Sequence, residues 1–335
     1  MYVHRTYIST TGENLMRAAL LHQYGHEHIT IAELDAPRPG PGEVLVTVEA
    51  ASINPADWHK AAGAPYFMRM TEGLRRPKTE RVGTDGAGRI DAVGAGVTEL
   101  HVGDRVFGSF KGSFATQALA SVERIARVPT GVEVDEAAGL PIAGVTALQA
   151  VERAGVAGRR VVVNGASGGV GTFAVQLARA EGAAEVVGVC SGRNRDLVRD
   201  LGADRVVDYE TEDFTEQPFD VLIDCIGSKK PRAVKRALSK DGVWVLLGSQ
   251  QKRGVFGPLG QMLTSMAAMS IARQSLVVFI AEETVPRLER LAQFMAEGKI
   301  RTVIDRIVVL DVVTGAFDYL ATSRAQGKVL ILPGH

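Results

Sequence analysis

Apolar and polar positions follow two different rhythms along this chain of 335 residues. From residue 16 to about residue 130, short apolar stretches are separated by glycine and proline, as in PRPGPG at residues 37–42. Such punctuation is typical of turns between short antiparallel strands, which we predict at residues 43–49, 89–93 and 104–107. The first part of the chain therefore indicates an irregular, mostly antiparallel β domain.

The second part of the chain alternates apolar strands with amphipathic helices. That alternation is typical of a parallel sheet with right-handed crossovers. Strand-like runs occur at residues 161–163, 185–190, 206–208, 221–224, 243–247 and 276–280. After a helix at about residues 285–297, strand-like pieces return at 302–310 and 329–332, and we expect this tail to rejoin the β domain.

These rhythms predict two domains and a short leader. We expect a β domain at residues 16–140 and 285–335, with a parallel-sheet domain at residues 141–284 inserted in it. A chain of 335 residues exceeds the usual single core, which agrees with two domains. Residues 1–15 are polar, and we expect them to form a disordered leader before the first strand.

The run VVVNGASGGVG at residues 161–171 is the most informative motif of the chain. An apolar strand stops at a glycine-rich turn, and the amphipathic stretch TFAVQL begins a helix directly after it. In that context, glycines let backbone N–H groups approach a pyrophosphate at a helix N-terminus. We therefore predict that Ser167, Gly168, Gly169 and Val170 bind a dinucleotide; the alternative is an ordinary tight turn.

The next strand ends in SGRNR at residues 191–195, and this turn bears on which dinucleotide is bound. An NAD site usually places an acidic residue about 20 residues beyond the glycines, where it accepts hydrogen bonds from the ribose 2′-hydroxyl. Ser191 stands there instead, with Arg193 and Arg195 just after it. A hydroxyl and a guanidinium suit a 2′-phosphate, so NADPH is favoured over NADH; a solvated basic turn is the alternative.

Composition and charge argue against several other classes of protein. The formal net charge is zero, so no overall field would recruit nucleic acid or an anionic membrane. No apolar run reaches the length of a transmembrane helix, and the N-terminus lacks a hydrophobic secretory segment. Cys190 and Cys225 offer neither a disulfide framework nor a paired metal-ligand spacing. We expect a cytoplasmic protein with no nucleic-acid partner and no membrane span.

Seven short motifs, taken in order, make the chain similar to a known family. They are NPAD (54–57), GTDGAG (83–88), VGDRVFG (102–108), GSFA (112–115), PIAGVTALQ (141–149), LGAD (201–204) and GKV (327–329), in addition to the glycine-rich turn. Over residues 16–333 the chain resembles the medium-chain dehydrogenase/reductase superfamily, above all its zinc-free quinone oxidoreductase branch. The resemblance implies an α/β fold: a GroES-like, mostly antiparallel β catalytic domain, a Rossmann domain with a doubly wound parallel sheet, and a cleft between them for nicotinamide and substrate.

The departures from the family concern zinc. Zinc-dependent members carry a cysteine ligand near the first motif and Gly-His-Glu at the second. This chain has Asn54 at the first and Thr84 and Asp85 at the second, and it lacks a four-cysteine lobe for a structural zinc. A catalytic zinc needs three converging protein ligands and an open position. We therefore predict no metal site, although His59, Asp57 and Asp85 offer an alternative set of oxygen and nitrogen ligands.

Without a Lewis acid, hydride transfer suits acceptors that are already electrophilic, such as quinones and α,β-unsaturated carbonyls. The protein then supplies positioning, dryness and a few hydrogen-bond donors. The resemblance places Asn54 at the nicotinamide end of the cleft as a catalytic and cofactor-binding residue; a turn cap before a helix is the alternative. His59 and Tyr66 follow the first motif and are candidate proton donors, and solvent is another.

The resemblance implies further contacts to the cofactor, each with packing or turn chemistry as its alternative. Thr146 would contact the nicotinamide, or its hydroxyl would bond to its own helix. Tyr209 would lie near the adenosine 2′-phosphate, and Lys328 would reach the cofactor across the cleft. The other candidates end strands at the carboxyl edge of the parallel sheet, where such folds bind ligands, and they are Cys225, Gly227, Gly248 and Phe279.

Two segments are candidate walls of a pocket for a bulky apolar substrate. The first, residues 63–81, contains PYFM at 65–68 and a basic turn at 75–78. The second, residues 250–275, is apolar and carries several methionines, which adapt to irregular partners. A dimer face, a core helix or a membrane-skimming helix are alternatives for the second segment.

These features predict a zinc-independent, NADPH-dependent oxidoreductase that transfers hydride to a small, apolar quinone or α,β-unsaturated carbonyl. The resemblance also favours a homodimer. One alternative is an NADP-dependent carbonyl or alcohol oxidoreductase. Another, of a different class, is a non-catalytic NADPH-binding sensor or assembly protein, since a fold by itself does not set function.

Overall fold

The computed structural model describes residues 15–64, 66, 69–248 and 273–334. The leader expected at residues 1–15 lies outside them except for Leu15, and the apolar segment expected at 250–275 lies outside them except for its last three residues. Along the described chain no helix is both long enough and apolar enough to cross a membrane.

The described elements are mainly strands up to residue 127, and strands and helices alternate after it, in the order that the two rhythms predict. The strands are β1 (Leu15–Leu21), β2 (Ile29–Asp35), β3 (Glu43–Ile53), β4 (Asp85–Val93), β5 (Arg105–Lys111), β6 (Gln117–Arg127), β7 (Arg160–Asn164), β8 (Glu185–Cys190), β9 (Arg205–Asp208), β10 (Phe219–Asp224), β11 (Leu238–Leu246), β12 (Ser275–Val277), β13 (Ile304–Val309) and β14 (Lys328–Leu332). The helices are α1 (Pro55–Ala62), α2 (Arg69–Glu72), α3 (Val134–Ala138), α4 (Pro141–Ala154), α5 (Gly169–Ala180), α6 (Arg195–Asp200), α7 (Pro231–Ala237), α8 (Val285–Ala296) and α9 (Val313–Ala321).

The β domain is built on a six-stranded sheet in the order β13-β14-β3-β4-β5-β6, and β3 also pairs with β6. All pairs are antiparallel except β13 with β14. The long β3 thus closes the sheet on itself, and its buried valines face an apolar core. The tail of the chain rejoins this domain through β13 and β14, as the sequence predicts.

The second six-stranded sheet has the order β12-β11-β10-β7-β8-β9, and every pair in it is parallel. The valines of β7 are buried on both sides of the sheet, which explains why that strand is a continuous apolar run. The strand order reverses between β7 and β10. Doubly wound folds bind ligands at this switch point, outside the carboxyl ends of the strands.

The two sheets are joined by a continuous apolar core around α4. One cluster of buried residues contains Leu148 of α4 and Phe173 of α5, and it also includes Ala87 of the first sheet. Leu288 and Leu291 of α8 are fully buried in the same cluster. The helix that follows the parallel sheet therefore packs on α4, and the domain limit between residues 284 and 285 stays a prediction.

Candidate active site

The glycine-rich turn joins β7 to α5 and leaves the helix N-terminus open. Gly165 has a φ of 87°, a conformation that favours glycine, and Gly168 precedes the first helical residue, Gly169. A Cβ at Gly171 would lie 2.0 Å from the carbonyl oxygen of Gly165, so glycine is needed for this close packing. A Cβ at Gly168 would meet nothing nearer than 3.5 Å. The turn therefore fits a pyrophosphate, since the first N–H groups of a helix lack partners of their own.

A cavity of about 430 Å³ opens beside the turn that follows β8. Ser191, Arg193 and Tyr209, three of the four residues expected near a 2′-phosphate, line it. Arg324, in the loop after α9, lines it from the other domain. The remaining lining residues are Gly192, Glu210, Thr322 and Ser323. The fold thus brings two guanidinium groups and one carboxylate to a single cavity.

Arg324 is a residue that sequence reasoning missed. Ser323, just before it, has a φ of 56° and is the one non-glycine residue with a positive φ in the described ranges. This left-handed residue ends α9 and turns the chain toward the cavity. The available signal was the position of Arg324, a few residues before the GKV motif.

Arg195, expected beside Arg193, is used differently. Its guanidinium lies 2.7 Å from a carboxylate oxygen of Glu212 and 3.9 Å from one of Asp208. Arg195 therefore ties α6 to the end of β9, and the lining of the cavity includes Arg193 but not Arg195.

The segment before β14 closes over the glycine-rich turn. Gln326 donates from Nε2 to Oδ1 of Asn194 (2.8 Å), and Asn194 donates from Nδ2 to Oγ of Ser167 (2.9 Å). The Gly327 N–H donates to the carbonyl oxygen of Ser167 (2.9 Å). These bonds hold the tail of the β domain against the expected dinucleotide site.

Lys328 is the point at which the glycine-rich turn meets the first sequence motif. Its side chain is buried, and a Cβ on Gly169 would lie 3.3 Å from its Cδ. Lys328 Nζ donates to Oδ1 of Asn54. Asn54 donates from Nδ2 to Oδ2 of Asp85 (2.9 Å) and to the carbonyl oxygen of Ser52 (3.3 Å). The amide of Asn54 is thus oriented by a cation on one side and a carboxyl group on the other.

Asn54 also precedes α1, in agreement with the alternative interpretation as a turn cap. Its N–H donates to Oδ2 of Asp57 (2.9 Å), and the Thr84 hydroxyl donates to Oδ1 of the same carboxyl (3.2 Å). The Asp85 carboxyl receives a second bond from the N–H of Ile142 in the first turn of α4 (3.1 Å). Both carboxyl groups are therefore held by helix N-termini, which favour negative charge.

Four charged residues, Asp57, Asp85, Glu283 and Lys328, lie buried together here, and we call them the buried charge cluster. Burial raises the pKa of all three carboxyl groups. For Asp85 the charge of Glu283 adds to this rise, and the charge of Lys328 opposes it. Burial lowers the pKa of Lys328, and the three carboxylates oppose that shift. The cluster thus holds three acids and one base.

Sequence reasoning considered Asp57 and Asp85 only as metal ligands, and it missed Glu283. Glu283 lies between β12 and α8, in a segment whose acidic pair Glu282-Glu283 is typical of a solvated surface turn. Only the fold shows that Glu283 is 9% exposed and lies near enough to the other three members of the buried charge cluster for their charges to interact.

His59 lies in the second half of α1, and Tyr66 follows after the helix has ended. His59 Nδ1 donates to the carbonyl oxygen of Ala64 (2.9 Å) at the C-terminal end of the helix. Tyr66 is 78% exposed, and its ring centroid is 4.8 Å from the guanidinium carbon of Arg69. In the described ranges no hydrogen bond joins either residue to the buried charge cluster, so their role as proton donors stays a prediction.

Thr146 and Phe279 have partners of their own in this structure. The Thr146 hydroxyl donates to the carbonyl oxygen of Ile142 (2.6 Å), which is the helix-internal bond considered as the alternative. The ring centroid of Phe279 lies 4.7 Å from the guanidinium carbon of Arg153. Their contacts to a cofactor stay predictions.

The ends of β10 and β11 approach each other closely at the carboxyl edge of the parallel sheet. Asp224 Oδ1 accepts from the N–H of Gly227 (2.7 Å), and a Cβ on Gly248 would lie 2.0 Å from the carbonyl oxygen of Cys225. Burial raises the pKa of Cys225 to about 12, so this thiol stays protonated. These three predicted cofactor residues are thus placed together, next to the switch point.

Comparison with known proteins agrees with this architecture. A model of the alcohol dehydrogenase GroES-like domain matches residues 40–174, and a model of zinc-binding dehydrogenases matches residues 201–331. The chloroplastic quinone-oxidoreductase QR1 of Triphysaria versicolor is 32% identical over 95% of this chain and 99% of its own length. The chain belongs to the medium-chain dehydrogenase/reductase superfamily.

Other members of this superfamily are similar over most of the chain. The 2-methylene-furan-3-one reductase of Solanum lycopersicum is 32% identical over 87% of this chain and 72% of its own length. The solved structure of the quinone oxidoreductase from Coxiella burnetii has a TM-score of 0.83 at 26% identity, covering 96% of this chain and 100% of that one. The protein is therefore a medium-chain oxidoreductase, of the quinone oxidoreductase-like kind, that uses a nicotinamide cofactor.

The zinc-binding members of this superfamily raise the question of whether the site could hold that metal. In the described part of the chain, no group of three or more His, Cys, Asp or Glu side chains is arranged to bind a metal ion. The Asp57 carboxyl already accepts two hydrogen bonds, and the ammonium of Lys328 places a positive charge beside it and Asp85. The described residues do not fit a catalytic zinc, which needs three converging ligands.

Proposed function

We propose that the protein is an NADPH-dependent reductase that transfers hydride to a quinone or an α,β-unsaturated carbonyl without zinc. The observation that carries the choice of cofactor is the cavity lined by Ser191, Arg193, Tyr209 and Arg324. Guanidinium groups bind phosphate through charge-assisted, geometrically matched hydrogen bonds. Arg193 and Arg324, one from each domain, bring two positive charges against the single carboxylate of Glu210. This excess of positive charge favours a ligand that places an additional phosphate in the cavity.

The chemistry of the proposed acceptors is taken from the relatives and from the residues near Asn54. The names of two relatives describe a quinone oxidoreductase and the reductase of an exocyclic enone. In both acceptor classes the carbonyl group is conjugated, so charge that develops on the oxygen is delocalised. When bound, the reduced nicotinamide supplies the hydride. Modest hydrogen-bond donors then suffice in place of a Lewis acid.

The residues around Asn54 have defined tasks in this proposal. Lys328 and Asp85 fix the amide of Asn54, so that its orientation costs nothing at the moment of reaction. The buried ammonium of Lys328 provides a positive potential next to Gly169, at the opening of the cofactor cradle. Asn54 and Lys328 are both buried, which excludes water and strengthens the electrostatic interactions between them and the groups around them.

The first experiment measures oxidation of NADPH and of NADH against a panel of quinones, enones and aldehydes, with a chelator and with added zinc. Turnover of quinones or enones that prefers NADPH and ignores both additions supports the proposal. Turnover of simple aldehydes or alcohols alone favours a carbonyl or alcohol oxidoreductase. Tight NADPH binding without turnover of any acceptor favours a non-catalytic cofactor sensor.

We also infer a reducing compartment such as the cytoplasm, and a homodimer. The thiols of Cys190 and Cys225 are free in this structure, which agrees with reducing surroundings. Light scattering during size-exclusion chromatography tests the dimer, and imaging of a fluorescent fusion tests the compartment. A monomer, or a fusion confined to an organelle, would contradict the respective inference.

A further inference from the structure

The segment that carries Glu283 is held at the preceding residue to the helix that carries the expected nicotinamide contact. Gln149, on α4, donates from Nε2 to the carbonyl oxygen of Glu282 (3.1 Å), which holds this segment against the helix. Thr146 precedes Gln149 by three positions, and residues three apart on a helix share a face. The segment therefore runs past the side of α4 on which the nicotinamide is expected.

The carboxyl group of Glu283 is buried among charges from several elements. Those that act on it directly or through Asp85 are Arg124 of β6, Lys60 and Asp57 of α1, Asp85 of β4 and Lys328 of β14. Burial raises its pKa, and Arg124 and Lys60 oppose the rise. Within the described part of the chain, Oε2 of Glu283 and Oδ1 of Asp85 are buried without a hydrogen-bond partner.

A carboxyl oxygen that is buried without a donor favours the protonated form of the acid, here Glu283. A buried carboxylate without donors loses its hydration and gains nothing in exchange, whereas the neutral acid avoids most of that cost. The buried charge cluster has only one cation for three carboxyl groups, so a proton on one of them also relieves the repulsion. Asp57 and Asp85 each accept two hydrogen bonds, whereas no donor meets Oε2 of Glu283, and we therefore take Glu283 as the group that carries the transferable proton.

We propose that Glu283 is the acid that protonates the α-carbon of an enone after hydride addition to its β-carbon; this rests on the proposed function. Hydride addition leaves an enolate. The O–H bond of Glu283 then breaks, a C–H bond forms at the α-carbon, and Glu283 becomes a carboxylate. The substrate gains one hydride and one proton, the reduced nicotinamide supplies the two electrons, and Glu283 is reprotonated from solvent before the next turnover.

Comparing enone reduction with quinone reduction distinguishes a proton-donating role of Glu283 from a structural one. Carbon acids exchange protons slowly with water, so an enolate benefits from a positioned donor. The oxygen of a hydroquinone anion takes up a proton from water without help. Loss of the Glu283 acid should therefore slow enone reduction and leave quinone reduction almost unchanged.

The test compares Glu283→Gln with Glu282→Gln in the full-length protein. Glu282 is the matched control, because it is exposed and its carboxylate lies 3.7 Å from Arg287 at the surface. For Glu283→Gln we expect kcat with an enone to fall about 100-fold or more, with unchanged kcat for a quinone and unchanged NADPH binding by fluorescence. Glu282→Gln should match the wild type, and Glu283→Asp should recover part of the enone rate.

Two further readouts report on the proton itself. In the wild type, kcat with the enone should fall as pH rises through the raised pKa of Glu283, and Glu283→Gln should lack that fall. In D₂O, the wild type should place deuterium on one face of a prochiral α-carbon. Glu283→Gln should lose this preference, because solvent would then supply the deuteron from either side.

Three results would overturn the proposal. Wild-type enone rates and face selectivity in Glu283→Gln would show that another group supplies the proton; an enone-selective loss in His59→Gln or Tyr66→Phe would name it. Equal losses with both acceptors and in NADPH binding would show a structural role. A wild type that oxidises NADPH with no acceptor would overturn the proposed function together with this inference, and so is distinguishable from the other two.

Discussion

Lys328 donates a hydrogen bond to the side-chain oxygen of Asn54, although 274 positions of sequence separate the two residues. The bond joins the first residue of β14, the last described strand, to the residue that precedes α1. It also connects the glycine-rich turn with the acids of the buried charge cluster, because Lys328 packs against Gly169 and Asn54 donates to Asp85. The dinucleotide cradle and the acidic cluster are therefore parts of one site.

Replacing Lys328 with Met should destabilise the protein strongly. The substitution keeps the apolar stem and removes the cation that balances three buried carboxyl groups, for an expected loss of about 3–5 kcal/mol in the free energy of unfolding. The loss should be larger at about pH 8 than at about pH 5, because the carboxyl groups repel one another only when ionised. Urea denaturation at both pH values measures it.

The control for this variant is Lys299→Met, since the Lys299 ammonium lies 2.7 Å from Glu297 at the surface. That variant should resemble the wild type at both pH values, because exposed ion pairs add little to stability. An equal loss for Lys328→Met at the two pH values would show that charge balance is not what Lys328 contributes.

Replacing Arg193 or Arg324 with Ala should weaken NADPH binding selectively. Each guanidinium would lose a charge-assisted bond to the 2′-phosphate, equivalent to about 1.5–3 kcal/mol and to a rise in Kd of about 10- to 100-fold. NADH lacks that phosphate, so its Kd should not change. Fluorescence titration with both nucleotides checks the result.

Arg199→Ala serves as the control for these two variants, because Arg199 lies on α6 and its guanidinium is 3.4 Å from Asp196 outside the cavity. It should bind both nucleotides as the wild type does. Equal weakening of NADH and NADPH by Arg193→Ala would contradict a 2′-phosphate site in this cavity.

Two glycine substitutions should separate folding from cofactor binding. Gly171→Ala would place its Cβ 2.0 Å from the Gly165 carbonyl oxygen, so we expect a loss of stability of about 1–3 kcal/mol. Gly168→Ala meets nothing nearer than 3.5 Å and has an ordinary φ of −86°, so it should fold normally. Its methyl group should nevertheless weaken NADPH and NADH alike, since both carry the pyrophosphate.

Thermal unfolding and nucleotide titration of the two glycine variants provide the measurement. Normal nucleotide binding by a stable Gly168→Ala protein would argue that the pyrophosphate does not approach this turn.

Replacing Asp85 with Asn should make stability less dependent on pH. Because the pKa of Asp85 is raised in the folded state, the folded protein binds more protons than the unfolded chain above about pH 4, and stability falls as pH rises. The amide introduced by Asp85→Asn does not titrate, so the free energy of unfolding should fall less steeply between about pH 5 and pH 8. Denaturant titrations across this range measure the slope.

Asp104→Asn is the opposite case. The His101 N–H donates to the Asp104 carboxylate and lowers its pKa, so its contribution is present above the unfolded-state value and disappears only at lower pH. Asp104→Asn should therefore leave the slope between about pH 5 and pH 8 unchanged. A slope that Asp85→Asn also leaves unchanged would contradict a raised pKa for Asp85.

The strands of the parallel sheet were predictable because buried strands appear in the sequence as continuous apolar runs. The apolar runs at residues 161–163 and 221–223 lie within β7 and β10, since a strand covered on both faces needs apolar side chains along its buried length. The ends were less predictable. Of the run at residues 276–280, only Leu276 and Val277 belong to β12, because its ladder with β11 ends at the pair Val245 and Val277.

The residues of the candidate site that follow predicted strands could be found from the sequence, whereas those that come from distant segments could not. Ser191 and Arg193 follow one strand, Tyr209 follows the next, and adjacent parallel strands bring their carboxyl ends to one edge, so these residues share a cavity. Arg324 and Glu283 reach the site from distant segments. Nothing in their neighbouring residues indicates a partner, because a charged residue in a loop is in most cases solvated.

The sequence by itself determined the strands of the parallel sheet and the glycine-rich turn, because each depends on residues that are near one another along the chain. Backbone geometry and the burial of neighbouring side chains are local properties, and the chain records them as periodicity and glycine spacing. The tertiary structure decided the electrostatics. Lys328, Asn54, Asp85 and Glu283 come from four separate segments, and the pKa values of the three ionisable groups among them shift only because packing removes water from all four at one place.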